Sequence, residues 1–347
     1  MSTEVLRITY GQDIISENVT DACKICFDKN IQIAICPRSG SKCALGSVRF
    51  EFGTVFICTN RKDVIKNKTI LHSEAIAFSR LTPIFRNRLE EEKIQYEKNF
   101  RRLIHNLSTL NGHNIQELFS LASQDELSSN IKEQIGIIKR TISNNLQNSA
   151  LAFLQIAKNN SAIKTEIDVF QKLYRSDAKL NRSNHSLHSV LLNILHVFFS
   201  DFTNKQVYVN VGECFDKVYI DYPSVRVAIF HIIHNAEKYC APGHPIEISF
   251  LKKINIITMT IDMVSLKVEL SEIDNIFKEG YSGIHATKNS FNGDGLGMYI
   301  ANMMISKNEG SMEFLSNVGK TFSVMNDGKI YERNRISISL PKEIHGG

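Results

Sequence analysis

The feature that most constrains the fold is a long proline-free stretch with helical spacing of apolar residues. Proline disrupts helix interiors, and none occurs between Pro83 and Pro223. We expect a helix to begin with Thr82 as its N-cap and Pro83 in its first turn. Beyond that point apolar side chains recur at steps of four and three, as in a heptad seam: Tyr96, Phe100, Leu103, Leu107 and Leu110.

A second helix of the same kind follows after a break. The stretch from Ser123 to Glu126 matches a capping box, which opens a helix. The next apolar stripe runs through Leu127, Ile131, Ile135, Ile138 and Ile142. Two such helices predict an antiparallel hairpin over residues 71–180. Their stripes are wide, so two hairpins are expected to dimerise into a four-helix bundle.

Both flanks of the hairpin have mixed α/β patterns. Residues 1–70 are predicted to form a small α/β domain of sensory or regulatory type, with strands at Ile31–Cys36 and Val48–Cys58. Residues 185–341 alternate helical and strand-like runs. Near their end, Asn326-Asp-Gly328 predicts a hairpin at the edge of a sheet.

Composition and charge exclude several classes of function. The net charge is +5, with basic and acidic residues interspersed, so no concentrated basic face for nucleic acid is expected. No apolar run reaches the roughly 20 residues of a membrane span, and the first residues lack the pattern of a signal peptide. We therefore expect a cytoplasmic protein with reduced cysteines.

Five of the seven cysteines fall in the first 70 residues: Cys23, Cys26, Cys36, Cys43 and Cys58. Cys23 and Cys26 have C-x-x-C spacing, but the other three do not form a second such pair. Two interpretations stay open, a zinc or redox site and a set of small buried thiols that fill a core.

An ordered set of motifs near the C-terminal end carries the chemistry. A helical Asn235 offers an amide oxygen, a ligand type that suits Mg²⁺. Lys238 lies three residues further on and can reach phosphate oxygens. The run Gly293-Asp-Gly-Leu-Gly297 precedes a predicted helix, whose backbone N–H groups can cradle phosphates.

The order and spacing of these motifs resemble the ATP-binding domain of histidine kinases and of their gyrase and MutL relatives. The resemblance implies a two-layer α/β sandwich over residues 185–341, with Asn235 holding Mg²⁺ and Asp262 accepting from the adenine amino group. The remaining nucleotide contacts that it implies are His231, Lys238, Tyr239, Gly293, Gly295, Leu296 and Gly297. Both glycines of the family motif that follows the aspartate are missing after Asp262.

A candidate phosphoacceptor lies on the first long helix. His105 falls outside the seam and Thr109 lies one turn further on the same face. This resembles the phosphoacceptor motif of histidine kinases, in which an exposed imidazole is the nucleophile. Asn106 stands where the family has an acid, which predicts slow autophosphorylation. His113 is a rival acceptor without a matching Thr or Asn.

These expectations combine into one leading hypothesis and two alternatives. The leading hypothesis is a homodimeric protein-histidine kinase that binds ATP and Mg²⁺, phosphorylates His105 and passes the phosphoryl group to the receiver domain of a response regulator. One alternative is a catalytically weak pseudokinase that acts as a dimeric regulatory module. The other is a conformational ATPase of the gyrase or MutL kind.

Overall fold

The structure is a computed structural model that describes residues 4–128, 130–174, 179–291, 293–319 and 323–342. These residues form two compact units, one ending at Lys98 and one beginning at Asn99. A long helix followed by an α/β domain is present, as expected. The division into domains at residues 70 and 180 stays a prediction. Among the described residues, no helix combines the length and the apolar character needed to cross a membrane.

The N-terminal unit is built on a five-stranded antiparallel sheet. Its strands are β1 (Glu4–Tyr10), β2 (Asp13–Glu17), β3 (Gln32–Ile35), β4 (Lys42–Phe50) and β5 (Gly53–Thr59), in the order β2-β1-β5-β4-β3. The strand predicted at Ile31–Cys36 corresponds to β3, and the run predicted at Val48–Cys58 is divided by a turn into the end of β4 and most of β5. The sequence analysis did not predict β1 and β2, which contain several polar and charged residues.

The two faces of this sheet pack against different partners. Along β5, Val55 and Ile57 point to one face, and Phe56 and Cys58 point to the other, as the period of a strand requires. The first face is covered by α1 (Lys62–Lys66) and the first turns of α2 (Lys68–Leu121). The second face packs with a short 3₁₀ helix that carries two further cysteines.

Helix α2 begins earlier than predicted. It starts at Lys68, and Pro83 lies inside it, so the prediction of a helix start at Thr82 is wrong. The hydroxyl of Thr82 donates to the carbonyl of Phe78, one turn back in the helix. Leu71 and Ala75 are buried against the sheet. This packing stabilises the turns that precede the proline.

In the second unit, α2 pairs with α4 (Leu146–Val169) and the turn that follows it. Arg102 donates to Tyr174 at 2.8 Å, Asn106 to Glu166 at 3.2 Å, and Asn114 to Asn160 at 3.1 Å. Toward the C-terminal end of α2, its partner residues lie progressively earlier in the sequence. The two helices therefore run antiparallel.

The predicted second helix is interrupted. The Ser123–Glu126 capping box forms, but it opens only a short 3₁₀ turn. Helix α3 (Ile131–Asn144) then begins after the N-cap Asn130. Asn145 separates α3 from α4 in a non-helical conformation and caps α4 by accepting from the N–H of Asn148.

The remainder of the second unit is an α/β domain. It comprises β6 (Arg182–Ser186), α5 (Leu187–Asn204), β7 (Val209–Val211), β8 (Lys217–Asp221), α6 (Tyr222–Tyr239), β9 (Ile246–Lys252), β10 (Ile256–Leu266), α7 (Ile284–Lys288), α8 (Gly297–Lys307), β11 (Ser311–Leu315), β12 (Ser323–Asn326) and β13 (Lys329–Pro341). The main sheet has the order β11-β13-β10-β9-β7, with β12 also paired to β13, and β6 pairs with β8.

One face of the main sheet forms the core with α5, α6 and α8. Strand β10 alternates strictly, and its Ile257, Met259 and Ile261 are buried on this face. At the edge of the sheet, β12 and β13 form the hairpin expected from the sequence. Asp327 and Gly328 of its turn both have positive φ, as a two-residue hairpin turn of this kind requires.

Candidate functional site

Helix α6 carries the first group of predicted site residues. It is anchored at its start by Asp221, which caps the helix by accepting from the N–H of Ser224 at 3.1 Å. Its apolar face is buried in the core of the domain. Asn235, Lys238 and Tyr239, near its C-terminal end, line a cavity of about 220 Å³.

The glycine loop meets α6 at the mouth of this cavity. A Cβ atom at Gly293 would lie 3.1 Å from the Nζ of Lys238. A Cβ at Gly297 would lie 3.4 Å from the Nδ2 of Asn235 and 3.6 Å from the Nδ1 of His231. Helix α8 begins at Gly297. The structure therefore brings the α6 motif and the glycine motif together, as the sequence suggests.

Gly295 fixes the position of the loop. Its φ is +65°, and a Cβ there would lie 2.5–2.6 Å from backbone atoms of Gly280 and Tyr281. Glycine is the residue that tolerates both this backbone conformation and this close approach. The loop thus packs directly on the turn at Gly280 and Tyr281.

The cavity is mostly apolar, and its polar groups come from several elements. Its remaining lining comprises His234, Met263, Ser265, Leu266, Lys267, Val268, Glu272, Ile276, Tyr281, Ser282, Gly283, Ala286, Gly293, Gly295, Met298, Phe314 and Ile336. An apolar pocket with a few convergent polar groups is typical of a small-molecule site. On the α6 side, the ammonium group of Lys238 can pair with an anion.

Burial sets the electrostatics of the α6 side chains. Burial lowers the pKa of Lys238, while the acidic neighbours Glu237 and Asp294 oppose the change. The pKa of His231 falls to about 3 because of burial, with repulsion from His234 and Arg102 adding to it. His231 is therefore neutral at pH 7, and its Nε2 is buried with no hydrogen-bond partner among the described residues.

Glu272 organises the wall opposite α6, and the sequence analysis missed it. Its carboxylate accepts from the N–H of Glu269 at 3.0 Å, and from the hydroxyl of Tyr281 and the N–H of Ile284 at 2.7 Å each. Glu272 is only 2% exposed. Burial, together with this carboxylate, raises the pKa of Tyr281 to about 12, so the tyrosine stays a hydrogen-bond donor.

Asp262 does not lie in the cavity. It is on the face of β10 opposite the core, where Arg335 of β13 holds its carboxylate through two hydrogen bonds of 2.8 and 3.0 Å. The predicted contact between Asp262 and adenine is contradicted by this geometry. Successive strand residues point to opposite faces, so it is Met263 that lines the cavity.

Ser265 is a polar group of β10 that does face the cavity. It is 3% exposed, and its Oγ accepts from the Nδ2 of Asn334 at 2.8 Å. The hydroxyl hydrogen can therefore be donated to a ligand. The alternation of β10 was visible in the sequence, where Thr258, Thr260 and Asp262 share one phase and Met263 and Ser265 share the other.

The candidate phosphoacceptor lies on the exposed side of α2. His105 and Thr109 are both exposed, and the Thr109 hydroxyl donates to the backbone carbonyl of His105 at 3.0 Å. The side chain of Asn106 is turned toward α4, where it bonds Glu166. Burial raises the pKa of Glu166, partly offset by Asn106 and Arg102. His105 is not among the described residues that line the cavity.

No protein-family model and no curated protein matches this chain. Among solved structures, it is similar to the mycobacterial sensor histidine kinase MprB, with 16% identity, a TM-score of 0.38, and coverage of 47% of this chain and 99% of the other. Histidine kinase AdeS of Acinetobacter baumannii has 14% identity, a TM-score of 0.37 and coverage of 70% and 98%. Full-length ShkA in complex with AMPPNP has 12% identity, a TM-score of 0.43 and coverage of 72% and 47%.

Proposed function

We propose that this chain is a protein-histidine kinase that binds ATP with Mg²⁺ in the α6–α8 cavity and phosphorylates His105. The observation that carries the proposal is the meeting of Asn235 and Lys238 with the glycine loop at the start of α8. An amide oxygen, an ammonium group and helix N–H groups converge there on the mouth of an apolar cavity. This combination fits a nucleoside triphosphate.

The contacts proposed for the phosphates have more structural support than those proposed for adenine. The first-turn N–H groups of α8 and the ammonium of Lys238 would bind phosphate oxygens. The amide oxygen of Asn235 is a hard ligand, and a single protein ligand beside phosphates and water suits Mg²⁺. When bound, the ion would offset negative charge on the triphosphate. His231, neutral and next to Gly297, avoids placing a further charge there.

The adenine side relies on apolar contact and on Ser265. Without a carboxylate from Asp262, the base would be held between apolar walls and would accept a hydrogen bond from the Ser265 hydroxyl. Such a site discriminates adenine less strongly than a charged acceptor does. We therefore expect ATP affinity below that of a site with a carboxylate.

The phosphoryl transfer itself is a positioning problem. A ring nitrogen of His105 would attack the γ-phosphorus, the bond to the β–γ bridging oxygen would break, and ADP would leave. The imidazole proton would pass to solvent, since Asn106 is not a base. A positioned base is worth roughly 10²–10⁴-fold in rate, so we expect slow autophosphorylation. The phosphoryl group would then pass to an aspartate of a receiver domain.

A second candidate function is a regulatory pseudokinase, and the position of Asp262 favours it. Its salt bridge with Arg335 removes the acid from the adenine side. In that case the domain would bind partners without turning over nucleotide. Binding and phosphorylation must therefore be measured separately.

The deciding experiment combines calorimetry with ATP–Mg²⁺ and incubation with γ-labelled ATP. We expect binding to the wild-type chain and loss of binding in Asn235→Ala. We also expect acid-labile, base-stable label in the wild type but not in His105→Gln. His113→Gln is the matched control, an exposed histidine on the same helix, and it should keep its label.

Each other outcome contradicts the kinase proposal. Binding without label supports the pseudokinase. Steady hydrolysis that His105→Gln leaves unchanged supports a conformational ATPase. Absence of binding at high nucleotide concentration would exclude both the kinase and the conformational ATPase, since both functions require nucleotide.

A further inference from the structure

Three buried cysteines converge on one point inside the N-terminal unit. Cys36 follows β3, Cys43 lies on β4 and Cys58 lies on β5. Their sulfur atoms all lie within 4.8 Å of one another, and the sulfurs of Cys43 and Cys58 are 3.3 Å apart. All three side chains are at most 2% exposed. Residues from three different segments thus present their sulfurs to a common centre.

The loop that carries Cys36 is a tight turn between β3 and β4. The N–H of Cys36 donates to the carbonyl of Ser41 at 2.8 Å. The turn is closed by the N–H of Gly40, which donates to the carbonyl of Cys36 at 2.8 Å, and Gly40 has a φ of +65°. These two backbone bonds hold Cys36 in an ordered turn, so its sulfur has a fixed position beside β4.

Core packing alone accounts poorly for this arrangement. Cysteine does serve as a small apolar residue in cores, and this core also contains Val5, Leu45 and Phe56. Apolar packing, however, gives no reason for three sulfurs from three segments to meet at one point. Such convergence is typical of thiolate ligands that share a cation.

The geometry points to a tetrahedral thiolate site for a soft divalent metal such as Zn²⁺, held by Cys36, Cys43 and Cys58. Three atoms within 4.8 Å of one another share a point no more than about 2.8 Å from each, close to the Zn–S distance of about 2.3 Å. Small side-chain shifts would close that difference. Mg²⁺ and Ca²⁺ prefer oxygen ligands, so a set of thiolates does not favour either ion.

Cys26 would supply the fourth ligand. It is 2% exposed and packs in the same core. Its sulfur does not lie within 4.8 Å of all three others, so metal binding would have to draw it inward. Cys23, the other half of the C-x-x-C pair, instead pairs with the hydroxyl of Thr20. Four thiolates would complete a closed structural site, which would join the 3₁₀ helix to three segments of the sheet.

The test measures metal bound to the full chain. The protein is purified under reducing conditions, and zinc is quantified by mass spectrometry. The metal is then exchanged for Co²⁺, whose thiolate charge-transfer absorption reports sulfur ligation. We expect about one metal ion per chain, and an affinity reduced by at least about tenfold in Cys36→Ser, Cys43→Ser, Cys58→Ser and Cys26→Ser. Cys240→Ser, a buried cysteine of the second unit, is the matched control.

Because substitution in the sheet can unfold it, the wild-type chain is also treated with a chelator. Loss of the metal should lower the melting temperature, and added zinc should restore it. Failure of the wild type to bind zinc or cobalt overturns the site. So does a disulfide between Cys43 and Cys58 under these conditions, seen as a mass lower by two hydrogens. Full metal content in Cys26→Ser overturns the assignment of the fourth ligand. The test does not depend on nucleotide binding.

Discussion

At the scale of single residues, one wall of the cavity depends on the alternation of strand β10. Asp262 and Met263 are neighbours on β10, but their side chains point to opposite faces of the sheet. The register of β10 and β13 places Arg335 opposite Asp262, where it holds the carboxylate in a bidentate pair. Ser265, in phase with Met263, is then the polar side chain of β10 that a bound base would meet.

Substitutions on the two faces of β10 should therefore have different effects. We expect Ser265→Ala to weaken ATP binding by about two- to tenfold, because one hydrogen bond contributes about 0.5–1.5 kcal/mol. Asp262→Asn should leave ATP affinity within about twofold and lower stability by no more than about 1 kcal/mol, as for a partly exposed ion pair. Calorimetry measures the first effect and thermal denaturation the second. A greater loss of affinity in Asp262→Asn would place that residue in the site after all.

At the scale of elements, the site is the junction of a helix end and a helix start. The C-terminal end of α6 supplies side chains, and the start of α8 supplies backbone N–H groups. The loop between Gly293 and Gly297 joins them, and Gly295 holds that loop against Tyr281. Glu272 in turn holds Tyr281. Small changes in the loop should therefore affect the whole mouth of the cavity.

Two glycines with similar backbone angles provide a controlled test of this junction. Gly243 has a φ of +74° and no atom near its Cβ position, whereas Gly295 has a φ of +65° and backbone atoms at 2.5–2.6 Å. We expect Gly243→Ala to cost about 1 kcal/mol of stability from its backbone angle alone. Gly295→Ala should cost more, and it should also abolish measurable nucleotide binding. Equal effects of the two substitutions on binding would rule out close packing at Gly295 as a requirement.

At the scale of the whole molecule, the hairpin helices leave a large apolar surface uncovered. On α2, Ile115 and Leu118 are 43% and 49% exposed, and on α4, Phe153 is 61% exposed. Exposed large apolar side chains that cluster on a surface are typical of an interaction site. Pairing of two hairpins would bury it in a four-helix bundle, and this supports the proposed homodimer.

The double substitution Ile115→Glu and Leu118→Glu tests the homodimer. Burial of each aliphatic side chain contributes about 2 kcal/mol, and a dimer contains both copies. We therefore expect the dissociation constant of the dimer to rise by at least about a hundredfold. Light scattering coupled to size-exclusion chromatography measures the mass. Gln116→Glu, exposed on the same helix, should stay dimeric, and a wild-type monomer would contradict the bundle.

Local patterns in the sequence were sufficient for much of the fold. The heptad spacing after Tyr96 predicted a long helix, and Asn326-Asp-Gly328 predicted a hairpin turn. Asn235 was expected on a helix and the glycine loop just before one, and each lies there. These features depend on backbone geometry within a few residues, which spacing and glycine placement report directly.

Four features appear only in the tertiary structure. They are the start of α2 at Lys68, the salt bridge between Asp262 and Arg335, the position of Glu272, and the convergence of Cys36, Cys43 and Cys58. Each depends on contacts between distant segments, and such contacts follow from strand register and packing. The sequence by itself determined the long helix, the β12–β13 hairpin and the helical settings of Asn235 and of the glycine loop, because these depend on local backbone geometry. Tertiary structure decided which side chains face the cavity and which cysteines meet, because those outcomes depend on how sheets and helices pack together.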